Sequence, residues 1–312
     1  MSEKRVVYFN GRFVPEHEAR ISIYDSALMF GDMVFEMMRT YNMKHFMLRE
    51  HLERLYASIR YVRIPINLTI DQMEQAFHET IEANKQAFSE TDEVRSLINV
   101  SRGPLSLYRH IFDNKLEPTV VIACFPLKWI VGPQAWIFDQ GVHAVVPSQR
   151  AIPGYLMDPK VKNRSRLFYQ IANIEAAMAD PRAWALMLDP DGFIAEGTGA
   201  NFFIVKKGVL YTPEPRNCLR GISRQYVLET LAAQLNIPCR ETNLEVYDAL
   251  DGDEAFFTCT PSAIVPCTKV NNVQVGNGKP GETTMRLLRQ WSKNVGVDIA
   301  AQAAAFAKEL SV

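Results

Sequence analysis

Two short, largely apolar runs, Val6 to Phe9 and Arg12 to Val14, flank Asn10-Gly11. That dipeptide favours the positive backbone dihedrals of a tight turn, so the chain is expected to open with a β-hairpin. The period then lengthens. Leu52, Leu55, Tyr56 and Ile59 recur at i, i+3, i+4 and i+7, which is one apolar stripe of a helix, and Arg54 projects roughly opposite that stripe. A further helix is expected from Thr69 to about Phe88, followed by strands at Val94 to Ser101 and Thr119 to Phe125.

The pattern stops between about Pro126 and Pro133, where two prolines and a glycine fall close together, and strand-like alternation resumes at Val142 to Val146. This predicts a small N-terminal α/β domain over residues 1–125, an interdomain loop over 126–140 and a larger C-terminal domain over 141–312. The second half should hold a helix with Leu167, Ile171, Ile174 and Met178 on one face. Hairpins turning at Asp189-Pro190-Asp191-Gly192 and Lys206-Lys207-Gly208 come next, then a helix from Ile222 to Leu235 striped by Val227, Leu228, Leu231 and Leu235. The expected class is mixed α/β (α+β) in two domains, with no internal repeat.

Composition narrows the partners. A chain of 312 residues with 47% hydrophobic content has material for two cores. Its 34 basic and 35 acidic side chains leave a formal charge of -1, so neither nucleic acid nor an anionic membrane is expected, and any anion must be bound locally. The charged start Met1-Ser2-Glu3-Lys4-Arg5 runs into a strand pattern and no apolar run approaches the ~20 residues of a membrane span, which reads as cytoplasmic. Five cysteines without a paired spacing are expected to be reduced. Six histidines without a metal-ligand spacing predict no metal.

The chemistry concentrates between Asp158 and Arg224. Lys162, in Asp158-Pro159-Lys160-Val161-Lys162-Asn163, is a candidate Schiff-base lysine. Glu196, in Glu196-Gly197-Thr198-Gly199-Ala200-Asn201-Phe202-Phe203, is a candidate to hold a pyridinium proton, and Gly221-Ile222-Ser223 can open a helix beneath a phosphate. In that order they are the parts needed to hold pyridoxal 5'-phosphate. Lys160 is a rival, two residues from Lys162 and expected on the same strand face. Asn201 is the kind of strand asparagine that more often satisfies local backbone groups than touches a cofactor.

This order, with Leu219-Arg220-Gly221-Ile222-Ser223-Arg224 after the Asn201 strand and its hairpin partner, resembles the class IV aminotransferases among pyridoxal phosphate enzymes. The resemblance spans roughly Tyr8 to Gly278, taking in Tyr24 to Leu28 and Phe30 to Glu36, a segment that lines the substrate pocket in that family. It implies fold type IV, as in D-amino acid aminotransferases, and a homodimer. It implies Lys162 as the reactive lysine, since the family interval from lysine to glutamate matches the separation of Lys162 and Glu196. It also implies Arg54 and Thr260 as phosphate ligands beside the backbone of Ile222 and Ser223, although an arginine opposite its helix's stripe equally suits plain solvent. The implied reaction is transamination between a hydrophobic, branched-chain-like amino acid or amine and a 2-oxo acid. A D-amino acid or (R)-amine transaminase and an aminodeoxychorismate lyase-type enzyme stand as alternatives on the same fold, while a non-enzymatic scaffold fits poorly.

Several positions depart from the branched-chain pattern. Met37 follows the Phe35-Glu36 pair where a glycine is usual, which should reshape the pocket. Pro261 follows Thr260 and has no N–H, so one backbone donor to the substrate carboxylate is missing. Leu167 stands where the family carries a tyrosine if no gap intervenes. Val161-Lys162-Asn163 resembles the (R)-amine branch, and Glu175 falls where D-amino acid enzymes carry a glutamate. The Ser101 to Phe112 region resembles the Arg-x-His carboxylate clamp of those enzymes, with Arg109 and His110 adjacent instead of separated by one residue. Phe35, Met37, Arg109, His110 and Pro261 are therefore the candidate substrate residues.

Overall fold

Residues 5–311 are described by the computed structural model, and Met1 to Lys4 of the charged start lie outside the described residues. The chain divides into two units: residues 1–127 with 161–166, and residues 128–160 with 167–312.

The first unit is built on a sheet of six strands, β1 (Val6–Phe9), β2 (Arg12–Pro15), β3 (Met33–Tyr41), β4 (Lys44–His45), β5 (Val94–Ser101) and β6 (Thr119–Pro126), in the order β2-β1-β6-β5-β3-β4. Asn10 and Gly11 take φ of 47° and 86°, so the expected opening hairpin forms with the backbone its dipeptide favours. Helix α1 (Ser26–Phe30) is short, and α2 (Leu48–Val62) buries Leu52, Leu55, Tyr56 and Ile59, the stripe read from the sequence. Helix α3 (Ile70–Asn84) starts one residue later than expected because Thr69 is its N-cap, in a capping box with Gln72. The two longer helices pack with Val34, Met38, Ile98 and Val100 in one core. Strand alternation sends Phe35 and Met37 to the opposite face of β3.

The second unit holds β7 (Val142–Val145), β8 (Trp184–Leu188), β9 (Ile194–Gly197), β10 (Asn201–Lys206), β11 (Val209–Thr212), β12 (Cys239–Glu241), β13 (Glu254–Cys259), β14 (Ala263–Val270) and β15 (Val273–Gln274). They form one sheet in the order β12-β11-β10-β13-β14-β7-β8-β9, with β15 beside β14. Cross-strand aromatic pairs fill its centre: Phe203 stacks on Phe256 at 4.8 Å, and Phe202 meets Phe257 edge-on at 5.0 Å. The hairpin turns at Gly192 and at Lys207-Gly208 carry the positive φ angles their glycines allow. The stretch 126–140 carries two short helices, Lys128–Val131 and Ile137–Gln140. Helical backbone runs from Ile222 to Gln234, widened to a π-helix over Tyr226–Leu231.

The helix expected around Leu167 forms as Leu167–Ala179, and its bulky apolar side chains Leu167, Ile171, Ile174 and Met178 are exposed, Met178 by 83%. Ala172 and Ala176 are the buried residues, packed near Ala151, Ala185, Met187 and Ala195. Small side chains let the helix backbone lie close on the sheet, and that close approach selects the alanine face over the bulky one. One expectation is overturned: Lys160 and Lys162 share no strand face. Lys160 lies in a turn of the second unit, whereas residues 161–166 join the first.

Candidate active site

Lys162 sits on an extended segment alongside β3. Asn163 bridges Val34 in antiparallel register, the Phe35 N–H donates to the Lys162 carbonyl at 3.0 Å, and the Arg164 N–H donates to the Met33 carbonyl at 2.8 Å. The Lys162 N–H donates to Ser58 Oγ on α2 at 3.3 Å, and Val161 is buried in the core beneath. The lysine is thus fixed on both sides. Its Nζ lies 4.8 Å from the centre of the Phe35 ring. Lys160, by contrast, is tied down by an ion pair with Asp158 at 2.8 Å.

On the core side of β3, Glu36 is fully buried, and it explains where Arg54 points. Instead of facing solvent, Arg54 directs Nε and Nη2 at the two Glu36 oxygens, at 2.6 and 2.8 Å. His51, one turn earlier on α2, brings Nδ1 to 2.7 Å from Glu36 Oε2. Burial alone would raise the Glu36 carboxyl, but the charge and hydrogen bonds of Arg54 and His51 hold it well below the usual carboxylate range. His51 is pushed down, first by its own burial and against the pull of Glu36, while Arg54 faces both carboxylate oxygens. Neither Glu36 nor His51 was singled out from the sequence. The available signal was the parity of β3, which places Glu36 on the same face as Val34 and Met38.

In the second unit Glu196 lies buried near the end of β9 and accepts hydrogen bonds from several elements. Tyr169 O–H reaches Oε1 at 2.8 Å, while Asn201 Nδ2 and the Leu219 N–H reach Oε2 at 3.2 and 3.0 Å. Asn201 also donates to the Leu219 carbonyl at 2.9 Å, so one amide spans the glutamate and the loop that leads to Gly221. This gives Asn201 the local backbone role expected of it and a glutamate contact besides. Gly221 is required by that arrangement, because a Cβ there would stand 2.0 Å from Asn201 Oδ1. The helix begins at once after it, with Ile222 and Ser223 both buried, and its first N–H groups have no partner within the helix. Tyr169, two residues past Leu167, is not among the residues named from the sequence, and its hydroxyl goes to Glu196.

Thr260, Pro261 and Ser262 form the turn between β13 and β14, and the backbone there is tight enough to force Ala263 to a φ of 59°. Thr258, paired with Asn201 across the strands, leaves its buried hydroxyl without a hydrogen-bond partner among the described residues. Arg109 and His110 are exposed on a 3-10 helix, Ser106–Phe112. Glu175 accepts from Ser148, through its N–H at 2.6 Å and its hydroxyl at 2.8 Å, and so anchors a loop.

The pieces fit a phosphorylated pyridine. A buried carboxylate is the kind of acceptor a protonated ring nitrogen needs, and a glycine-led helix start supplies backbone donors for phosphate. The amino-transferase class IV profile matches residues 33–270, and the chain belongs to that family. The branched-chain-amino-acid aminotransferase of Escherichia coli K12 is 31% identical over 287 residues, 90% of either chain. Among solved structures, the T.th. branched-chain amino acid aminotransferase complexed with N-(5'-phosphopyridoxyl)-L-glutamate superposes with a TM-score of 0.83, at 27% identity over 95% of both chains. The enzyme of Thermoproteus uzoniensis, solved with norvaline, gives 0.80 at 29% identity, over 93% of this chain and 94% of that one. Among the described residues no helix is long and apolar enough to cross a membrane.

Proposed function

We propose that this aminotransferase moves an amino group from a hydrophobic, branched-chain-like amino donor to a 2-oxo acid, using pyridoxal 5'-phosphate. The observation that carries the reading is the Glu196 carboxylate, buried and hydrogen-bonded from several elements, in a chain whose relatives are aminotransferases of branched-chain amino acids. When bound, the cofactor supplies an aldehyde and an electron-accepting ring. Lys162 would hold it through its side-chain amine and would carry the proton released from the substrate α carbon. Glu196 keeps a proton at the ring nitrogen. Arg54, oriented by Glu36, together with Thr260 and the N–H groups of Ile222 and Ser223 behind Gly221, holds phosphate. Phe35 and Met37 line the substrate side of β3. Pro261 gives no N–H, so side chains must supply part of the carboxylate grip, with Arg109 and His110 as the exposed candidates.

A homodimer is part of the same reading, supported by the four bulky apolar side chains that Leu167–Ala179 leaves exposed. The deciding experiment incubates the holoenzyme with single donors, both enantiomers and simple amines included, and follows the cofactor's visible absorbance. A donor-dependent change reversed by 2-oxoglutarate or pyruvate is expected. Pyruvate released from a donor without any acceptor would mean a lyase and overturn the reading.

A further inference from the structure

The segment that carries Lys162 carries two more cations on the same side. Because residues 162–164 run extended beside β3, side chains two apart point the same way, and Lys162, Arg164 and Arg166 converge on a single ring. Arg164 Cζ stands 3.6 Å from the centre of Phe35 and Arg166 Cζ stands 5.5 Å from it, with Lys162 Nζ at 4.8 Å. The intervening Ser165 turns the other way and donates to the carbonyl of Phe30. Three positive groups are therefore gathered around one aromatic ring, each within 5.5 Å of its centre.

Stacking occupies the face of a guanidinium and leaves its edge to bond. Arg164 gives Nε to Asn99 Oδ1 at 3.0 Å, and its two terminal nitrogens make no hydrogen bond among the described residues. Burial, with Arg166 and Arg95 near, pushes its guanidinium down to about 10. Gathering like charges in a half-buried place is unfavourable in the free protein and becomes favourable when an anion arrives. Arg109, for comparison, is exposed on its 3-10 turn.

We propose that Arg164 and Arg166 form a carboxylate-binding wall beside Lys162, which grips a substrate carboxylate and makes anionic substrates the preferred class at this site. The wall rests on the assignment of Lys162 made above. The carboxylate is the α-carboxylate of every amino acid substrate or the distal one of a dicarboxylic acceptor, and both meet the same planar two-point donor.

The test uses holoenzyme with Arg164→Met, Arg166→Met and Arg164→Lys. Donors are L-leucine and 3-methylbutylamine, acceptors are 4-methyl-2-oxopentanoate and 2-oxoglutarate, and unreactive 4-methylpentanoate and glutarate serve as binding probes in calorimetry. Arg164→Met and Arg166→Met should each raise KM for carboxylated substrates, and Kd for the matching probe, by about tenfold or more, the range for a lost charged hydrogen bond. Turnover of the amine should change less than about twofold. Arg164→Lys should recover part of the loss, because it keeps the charge without the planar fork. Loss for leucine and 4-methylpentanoate assigns the wall to the α-carboxylate, and loss confined to 2-oxoglutarate and glutarate assigns it to the distal one. Unchanged KM and Kd throughout, or equal loss for the amine, would overturn the proposal. Wild-type protein that turns over no donor would instead defeat the transaminase reading, and the probe titrations would still judge the wall.

Discussion

Glu36→Gln is the most exacting perturbation, because it removes the charge of a fully buried carboxylate. The Glu36 side chain is 0% exposed and Arg54 only 11%, and three donors aim at two carboxylate oxygens within 2.8 Å. Glutamine offers one oxygen and an N–H2, so at least one of those donors must face another donor. Removing one member of a buried ion pair costs about 3–5 kcal/mol, mostly as the desolvated charge left behind. Arg54→Met should cost a similar amount, whereas Glu36→Leu with Arg54→Met should lose far less than the sum of the single losses. All four tryptophans, Trp129, Trp136, Trp184 and Trp291, belong to the second unit, so fluorescence would not follow the loss. Hydrogen exchange at the amides of β3 and α2 reads it directly. Strictly additive losses, or a single-variant loss below about 1 kcal/mol, would refute the argument that the pair is a closed electrostatic unit.

Lys162→Ala should abolish turnover and the borohydride-trapped cofactor adduct, and an adduct mapped to Lys160 would sink the assignment. Gly221→Ala should cost about 1–3 kcal/mol through displacement of Asn201, with weaker cofactor binding in absorbance titration; unchanged affinity would remove the Asn201 contact from the site's requirements. Because Glu36 titrates below its ordinary 4.5, its contribution to stability is complete above that pH and is lost as pH falls through the depressed value. Exchange-derived stability of the first unit should therefore fall more steeply below about pH 4.5 in the wild type than in Glu36→Gln, and parallel curves would contradict it. Arg109→Ala should impair amino acid donors more than amines without a carboxylate, as measured by kcat/KM; an equal effect on both would exclude Arg109 as a carboxylate ligand.

What the amino-acid order made legible was whatever depends on local spacing. The Asn10-Gly11 hairpin, the buried stripe of α2 and the strands at Val94 and Thr119 follow from periodicity and turn chemistry that neighbours reinforce. The 167–179 helix shows where this stops. Its pattern contains both a bulky apolar face and an alanine face, and which one meets the sheet depends on how closely the backbones approach, a tertiary matter. Arg54 was visible as a cation opposite a stripe, but its partner Glu36 lies on a strand 18 residues away in sequence. Tyr169 escaped because its partner Glu196 lies 27 residues on, and only the turn of the helix brings the two together. Arg164 and Arg166 were hidden because the 161–166 segment reads as loop until its bridge to β3 imposes a two-residue repeat.

That repeat bears on how such an enzyme can be altered. Reactivity and the proposed selectivity occupy alternate positions of one six-residue ribbon, so they are coupled by register. Inserting or deleting a single residue between Lys162 and Arg164 would turn one group away from Phe35 while leaving the other in place. Transplanting residues 161–166 as a block into another member of the family would carry both properties together. Point substitutions at 164 and 166 can therefore retune preference independently of the lysine, whereas changes of length cannot.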